Sequence, residues 1–179
     1  MILILLADGF EEIEALTPLD VLRRAGLDVK TVGISGKFVE GSHGIRVECD
    51  LSESEALNIT PELLILPGGM PGATNLDAST TTDRLIKTTL NSGGRLAAIC
   101  AAPLVLGRRG LLKGRRAVCY PGFEGELACA TVCDAPVVTD GCITTAKGMG
   151  AALDFALELV ELLVSTEQKE KIAKAIMKP

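Results

Sequence analysis

The stretch that decides the fold is Arg95-Leu96-Ala97-Ala98-Ile99-Cys100-Ala101-Ala102-Pro103. Its apolar run ends at Cys100, and small residues follow until Pro103, a residue suited to the first turn of a helix. The stretch therefore predicts a strand that turns sharply into a helix, with a thiol at the corner. Amide N–H groups that open a helix favour a nearby thiolate, so this thiol is a candidate nucleophile. The alternative is a buried cysteine that packs as a small hydrophobic residue, and this segment alone leaves both interpretations open.

Segments on both sides of this corner alternate between strand and helix patterns. Ile2 to Leu6 is a continuous apolar run, which predicts a strand buried on both faces. A helix is expected from Glu11 to Arg24, where Pro18 implies a kink or a restart with Thr17 as the new N-cap. Further strands are predicted over residues 29–34, 45–49, 63–66, 95–99, 117–120, 132–139 and 142–145. Further helices are predicted over residues 82–90, 102–109, 123–128, 149–164 and 165–178. The alternation predicts a doubly wound α/β sandwich with a largely parallel central sheet, formed by a single domain over residues 1–179.

Composition excludes several classes of protein. A formal net charge of −5 and an aromatic content of four Phe, one Tyr and no Trp remove the basis for direct nucleic-acid binding. The apolar opening segment lacks a basic flank and soon meets three glutamates, so neither a signal peptide nor a membrane span is expected. We therefore expect a cytoplasmic protein. Its six cysteines are expected to be free thiols, and their spacing does not predict a zinc site or any other metal site.

Polar groups are expected to gather around Cys100, because the carboxyl ends of parallel strands meet at one edge of the sheet. Acidic residues in a helix's first turn are favoured by the macrodipole, and this structural role alone would explain Glu14. If Glu14 turns inward, burial and nearby negative charge raise its pKa, and the protonated acid can donate a hydrogen bond to sulfur and lower the thiol's pKa. The N–H groups of Gly69 and Ala101 could form an oxyanion hole, although a tight turn alone also explains the glycines.

The ordered set of motifs resembles the ThiJ/PfpI superfamily, also called the DJ-1/PfpI family. The matching segments are Ala7–Glu14, Pro18–Gly26, Leu66–Gly69, Ala97–Pro103 and Gly150–Leu162. This resemblance implies a flavodoxin-like fold, usually as a homodimer, with no metal or organic cofactor. It also implies a reactive, readily oxidised cysteine at Cys100, a protonated partner at Glu14, and backbone amides at Gly69 and Ala101.

One position departs from the family pattern. Many members carry a histidine near the cysteine, and Tyr120 occupies that position here. Tyrosine is a poor base at neutral pH, so the departure counts against a peptidase, which needs a Cys–His pair. Tyr120, His43 and Arg24 remain candidate auxiliary groups. His43 lies in a Gly-rich stretch and is more typical of a solvated loop.

The resemblance leaves two main functional hypotheses. The first is a glyoxalase or deglycase that acts on methylglyoxal, related dicarbonyls or glycated adducts through the Cys100 thiolate, assisted by Glu14. The second is an oxidative-stress sensor or redox-regulated chaperone in which Cys100 is oxidised without turnover. A structural member of the family without activity is a third and lesser alternative.

Overall fold

The computed structural model describes residues 1–178, and a seven-stranded sheet forms its centre. The strands are β1 (Ile2–Leu6), β2 (Val29–Gly33), β3 (Phe38–Glu40), β4 (Arg46–Glu48), β5 (Leu51–Ser52), β6 (Leu63–Leu66), β7 (Arg95–Ile99), β8 (Arg116–Ala117), β9 (Thr131–Val132), β10 (Val137–Asp140) and β11 (Ile143–Ala146). The central sheet has the order β10-β11-β7-β6-β1-β2-β5, and only the β10–β11 pair is antiparallel. The predicted α/β sandwich with a largely parallel sheet is confirmed.

Helices cover both faces of the sheet. They are α1 (Glu12–Arg24), α2 (Glu53–Ala56), α3 (Gly72–Ala78), α4 (Thr80–Asn91), α5 (Pro103–Arg108), α6 (Ala152–Leu163) and α7 (Thr166–Ala175), with 3-10 turns at Glu124–Leu127 and Met149–Ala151. Leu3 and Leu5 of β1 face the cluster that contains α3, α4 and α5. Ile2 and Ile4 face the opposite cluster with α1, α6 and α7. Both faces of β1 are therefore buried, which explains its uninterrupted apolar sequence.

Helix α1 runs through Pro18 as one continuous helix, without the predicted restart at Thr17. Pro18 is buried, and α1 packs closely along α6, so tertiary contacts outweigh the backbone hydrogen bond that proline cannot make. The restart prediction was therefore wrong. Helix α3 was not predicted at all, because its N-cap is Pro71, which offers no side-chain cap, and its first residue is Gly72.

The later strands are shorter than predicted. Residues 45–49 form β4, which pairs with β3 in a separate hairpin outside the central sheet. Residues 132–139 divide into β9 and β10, because Pro136 between them cannot donate to a ladder. Ser165 caps α7 as predicted, since its hydroxyl accepts the N–H of Gln168 at 3.1 Å. Within residues 1–178, we find no helix of the length and apolar character that crossing a bilayer requires.

Candidate functional site

Cys100 lies at the sharp turn that was predicted between strand β7 and helix α5. Its backbone has a φ of 64°, a left-handed conformation that is uncommon for a residue with a side chain. Two hydrogen bonds hold this conformation: the Cys100 N–H donates to Ala146 O at 2.9 Å, and the Cys100 carbonyl accepts the N–H of Tyr120 at 2.8 Å. Such strain costs about 1–3 kcal/mol and is typical of functional positions. The turn leaves the thiol half-buried at the carboxyl end of the sheet.

Glu14 approaches this thiol from the first turns of helix α1. The residue is only 1% exposed, and its Oε2 accepts the backbone N–H of Gly68 at 3.0 Å. Among the described residues, no donor reaches its other oxygen, Oε1, in good hydrogen-bond geometry, although this oxygen is buried. The Cys100 thiol and the amide of Met149 are close enough to the carboxyl group to lower its pKa by hydrogen bonding. The inward orientation predicted for Glu14 is therefore present.

The Gly68–Gly69 turn brings bare backbone against both groups. A Cβ atom at Gly68 would lie 2.5 Å from Glu14 Oε2 and 2.7 Å from Cys100 Cβ, so only glycine fits there without displacement. Gly69 has a φ of +86°, which also requires glycine. The amides of Gly69 and Ala101 both approach the Cys100 sulfur. The double glycine was noted in the sequence, but the contact of Gly68 with both Glu14 and Cys100 was not foreseen.

Burial raises the pKa of Glu14 from its ordinary 4.5 to about 7, and the negative charge of Glu11 acts in the same direction. Hydrogen bonds from the Cys100 thiol and from the amides of Gly68 and Met149 act in the opposite direction. The predicted rise of the Glu14 pKa is confirmed, with burial as its main cause. A substantial fraction of the carboxyl groups is therefore protonated at neutral pH.

The predicted lowering of the Cys100 pKa is wrong, because the pKa of the thiol is raised. Burial, followed by the charge and the hydrogen bond of Glu14, raises the pKa of the thiol from 9.0 to about 12, although the amides of Ala101 and Gly69 lower it. Two negative charges in one buried site repel each other, and this repulsion opposes the second ionisation. A protonated Glu14 has no such charge and can donate its hydrogen to the sulfur. The acidity of the thiol therefore depends on which group holds the proton.

The three candidate auxiliary residues differ in their distance from this pair. Tyr120 lies beside the site, and its side chain is half exposed. His43 binds Glu12 instead, through its N–H at 2.8 Å and its Nδ1 at 2.9 Å. Arg24 is at the other end of α1, where its Nε donates to Asp20 at 2.7 Å. The structure therefore does not bring Arg24 to the site, and His43 serves mainly to hold its loop against α1.

One group of carboxylate and imidazole atoms has the proximity that a metal ion requires. Ligand atoms of Glu11, Glu12 and His43 lie within 4.8 Å of one another. However, both oxygens of Glu12 accept hydrogen bonds from the loop that contains His43, so the group is already engaged. Its contacts explain how the β3–β4 hairpin is attached to α1.

A cleft of about 420 Å³ opens next to the Cys100–Glu14 pair. Its walls come from the segment after β8 and from the turn between β11 and α6. The lining residues are Tyr120, Pro121, Pro136, Lys147, Gly148, Met149, Gly150 and Ala151. Both walls contact the pair. The Tyr120 N–H of one wall donates to the Cys100 carbonyl, and the Met149 amide of the other wall lies near the Glu14 carboxyl group. Cys100 and Glu14 do not themselves line the cleft, which adjoins the pair through these two segments.

Sequence comparisons with known proteins all point to the same family. The model of the DJ-1/PfpI family matches residues 1–162. Protein dj-1beta of Drosophila melanogaster is 35% identical over 98% of this chain and 95% of its own length. Glutathione-independent glyoxalase DJR-1.2 of Caenorhabditis elegans is 33% identical over 98% of this chain and 94% of its own. Protein DJ-1 homolog B of Arabidopsis thaliana is 37% identical over 99% of this chain, which spans only 42% of that longer protein.

Solved structures agree with this result. A cysteine-to-alanine mutant of a DJ-1 superfamily protein from Salmonella typhimurium superposes with a TM-score of 0.94 at 36% identity, covering 99% of this chain and 98% of that one. An oxidised form of DJ-1 from Toxoplasma gondii gives a TM-score of 0.94 at 37% identity, covering 98% and 97%. The likeness therefore extends over nearly the whole fold, including the strand-to-helix turn at Cys100.

Proposed function

The chain belongs to the DJ-1/PfpI family, and on that premise we propose that it is a glyoxalase-type enzyme that converts methylglyoxal and related dicarbonyls to hydroxy acids. The observation that carries this proposal is the contact between the Cys100 thiol, held at a strained turn, and the buried Glu14 carboxyl group. The C. elegans relative whose printed name is a glyoxalase supports the same class of reaction.

The first chemical step requires a thiolate and a neutral acid side by side. Between pH 7 and the second ionisation, Cys100 and Glu14 together carry one negative charge. We propose that this charge is on sulfur during reaction, because the amides of Gly69 and Ala101 stabilise it there and because the buried Glu14 Oε1, which has no hydrogen-bond partner, is better suited to hold a proton than a charge. The uncharged Glu14 then supplies the proton that the substrate will need.

The thiolate attacks the aldehyde carbon, a carbon–sulfur bond forms, and the carbonyl π electrons move to oxygen. The proton of Glu14 neutralises this oxygen and gives a hemithioacetal, which leaves Glu14 as a carboxylate. The carboxylate removes the proton from the former aldehyde carbon and returns it to the neighbouring carbon, while the hydroxyl proton passes to the former ketone oxygen. The hemithioacetal is thereby converted to a thioester of the hydroxy acid. Water then hydrolyses the thioester to the hydroxy acid and the free thiol. The aldehyde carbon is oxidised and its neighbour is reduced, so the reaction requires no external redox partner.

The same pair suits early adducts of dicarbonyls with protein amines. There the Cys100 sulfur forms a bond to the carbon that carries the amine, and the amine leaves with a proton. The resulting hemithioacetal is isomerised to the thioester and hydrolysed as before. Peptide hydrolysis is less suited to the site, because Tyr120 stands where a Cys–His pair would need its base. The homodimer and the cytoplasmic location remain predictions.

Lactate formation from methylglyoxal tests the proposal. We expect activity in the wild-type protein and its loss in Cys100→Ser and in Glu14→Ala, because the first lacks the nucleophile and the second lacks the proton relay. Cys129→Ser is the matched control, since Cys129 is the exposed free thiol and should retain activity. Equal lactate formation by Cys100→Ser and the wild-type protein would contradict the proposal.

A redox role is the second candidate, and the oxidised Toxoplasma gondii relative favours it. Peroxide would transfer two oxygen atoms to Cys100, and the Glu14 carboxyl group would donate a hydrogen bond to the resulting sulfinate. Mass spectrometry after peroxide at low dose should then show two added oxygens on Cys100 before any other cysteine. Oxidation without lactate formation would favour this role, whereas preferential oxidation of Cys129 would contradict it.

A further inference from the structure

We infer that the cleft beside Cys100 binds an apolar substituent of the substrate, with Tyr120 as the residue that determines this specificity. The inference rests on the proposed function and extends it by naming a substrate class. The class is α-oxoaldehydes that carry an aromatic or branched alkyl group on the ketone carbon. Methylglyoxal, which carries a single methyl group there, would be the smaller and poorer member.

The cleft is placed so that a substrate can occupy it while its aldehyde carbon reaches the Cys100 sulfur. Tyr120 on one wall donates its N–H to the Cys100 carbonyl at 2.8 Å. On the other wall, the chain leaves Ala146, whose carbonyl accepts the Cys100 N–H at 2.9 Å, and continues directly into the lining segment. Hydrogen bonds therefore attach both walls to the residue that bears the nucleophile. A substrate whose aldehyde carbon is at the sulfur can extend its other end into the cleft.

The lining selects an apolar and uncharged group. Prolines 121 and 136 line the cleft together with Met149, a side chain that is half exposed. The Tyr120 ring lies over Gly148, where an added Cβ would be 3.3 Å from Tyr120 Cδ2, so the missing side chain leaves room for the ring. Lys147 is the charged residue of the lining, and its ammonium group donates to Asp134 at 2.8 Å. A flat ring or a branched chain would lie against Tyr120 and exclude water from it.

The volume of the cleft also favours a larger substituent. Pockets for small organic ligands generally span about 300–1,000 Å³, and this cleft of about 420 Å³ is in that range. A three-carbon dicarbonyl would leave most of the space to water. Binding of an aromatic ring in the cleft would remove additional apolar surface from water. Because the cleft is half open, we expect this burial to raise kcat/KM about tenfold, which corresponds to about 1.4 kcal/mol of transition-state stabilisation.

Turnover of phenylglyoxal and methylglyoxal by the full chain tests the inference. We expect kcat/KM to be about tenfold higher for phenylglyoxal in the wild-type protein. Tyr120→Ala should reduce this ratio to about one, because it removes the ring that the substituent contacts. Tyr120→Phe should preserve the ratio, since it keeps the ring and removes only the hydroxyl group. A ratio near one in the wild-type protein, or an unchanged ratio in Tyr120→Ala, would overturn the inference.

A second measurement separates this inference from the proposed function. N-benzyl iodoacetamide and iodoacetamide alkylate a thiol with loss of iodide and require no turnover. Mass spectrometry of the Cys100 peptide should show faster alkylation by the benzyl reagent, again about tenfold, with the preference lost in Tyr120→Ala. If neither dicarbonyl is turned over but the benzyl preference is present, the proposed function fails and the apolar subsite remains. If the preference is absent, the subsite fails whatever the turnover.

Discussion

Replacing Glu14 by glutamine should change the acidity of Cys100 in a direction that depends on which group carries the charge. Glutamine keeps the shape of the side chain, can still accept the Gly68 N–H, and can never ionise. In the proposed site, the first proton leaves the pair with a pKa of about 7 and leaves a thiolate beside a neutral acid. The apparent pKa for thiol alkylation in the wild-type protein should therefore be below the ordinary 9.0 of a cysteine.

In Glu14→Gln the thiol must ionise without a carboxylic acid to donate a hydrogen bond to it. Burial, the largest influence on the thiol, still raises its pKa and the two amides still lower it, so the apparent pKa should be higher than that of the wild-type pair. A rise of about two pKa units would reduce the thiolate fraction at pH 7 about fiftyfold, but the more basic thiolate would also be more nucleophilic by about eightfold. The net loss of alkylation rate at pH 7 should be roughly five- to tenfold.

The assay is the rate of Cys100 alkylation by iodoacetamide between pH 5 and 11, resolved by mass spectrometry for each cysteine. Cys129, which is exposed, provides an internal control whose profile should be the same in both proteins. If the charge is on Glu14 instead, the wild-type thiol will titrate near 12, and glutamine will lower its pKa by removing the repulsion. An apparent pKa that falls in Glu14→Gln would therefore refute the proposed charge distribution.

Two further predictions concern stability. Gly68→Ala would place a Cβ 2.5 Å from Glu14 Oε2, so it should destabilise the fold by about 1–3 kcal/mol and slow Cys100 alkylation. Gly125→Ala is the control, because a Cβ there meets open space and should change Tm little. Equal melting curves for the two variants would contradict the close packing at Gly68. The folded-state pKa of Glu14 is raised from 4.5 to about 7. The contribution of the protonated carboxyl group to the free energy of unfolding is therefore fully present below pH 4.5 and is lost as the pH rises through 7. Relative to Glu14→Gln, the wild-type protein should lose up to about 3 kcal/mol of unfolding free energy between pH 4.5 and pH 8. Denaturant titrations of both proteins measure this loss. A difference in unfolding free energy between the two proteins that does not change with pH would contradict the linkage.

The corner at Cys100 was predictable because its signal is local. An apolar run, small residues and a proline follow one another within nine positions, and the structure has the expected strand, turn and helix there. The place of Glu14 near the start of a helix that leaves the same edge of the sheet allowed an inward position but did not require it, since a first-turn acidic residue has a structural explanation of its own. The direction of its pKa followed in turn from burial.

Features that depend on tertiary contacts were not predictable from local patterns. The contact of Gly68 with Glu14 joins residues 54 positions apart, and the Met149 amide comes from a turn near the other end of the chain. The unbroken helix through Pro18 depends on packing against α6. The thiol pKa was predicted in the wrong direction, because burial of the sulfur and its repulsion by Glu14 were not weighed against the amides.

The groups that set the acidity of Cys100 differ in whether a mutation can remove them. The two stabilising donors at the sulfur, from Gly69 and Ala101, belong to the main chain, whereas the acid at position 14 is a side chain. A codon change can delete the acid but cannot delete a peptide N–H, except by introducing proline. A descendant protein that lost Glu14 would therefore keep a polarised sulfur and lose its proton supply. In such a lineage, substrate turnover could disappear while oxidation of the cysteine persisted.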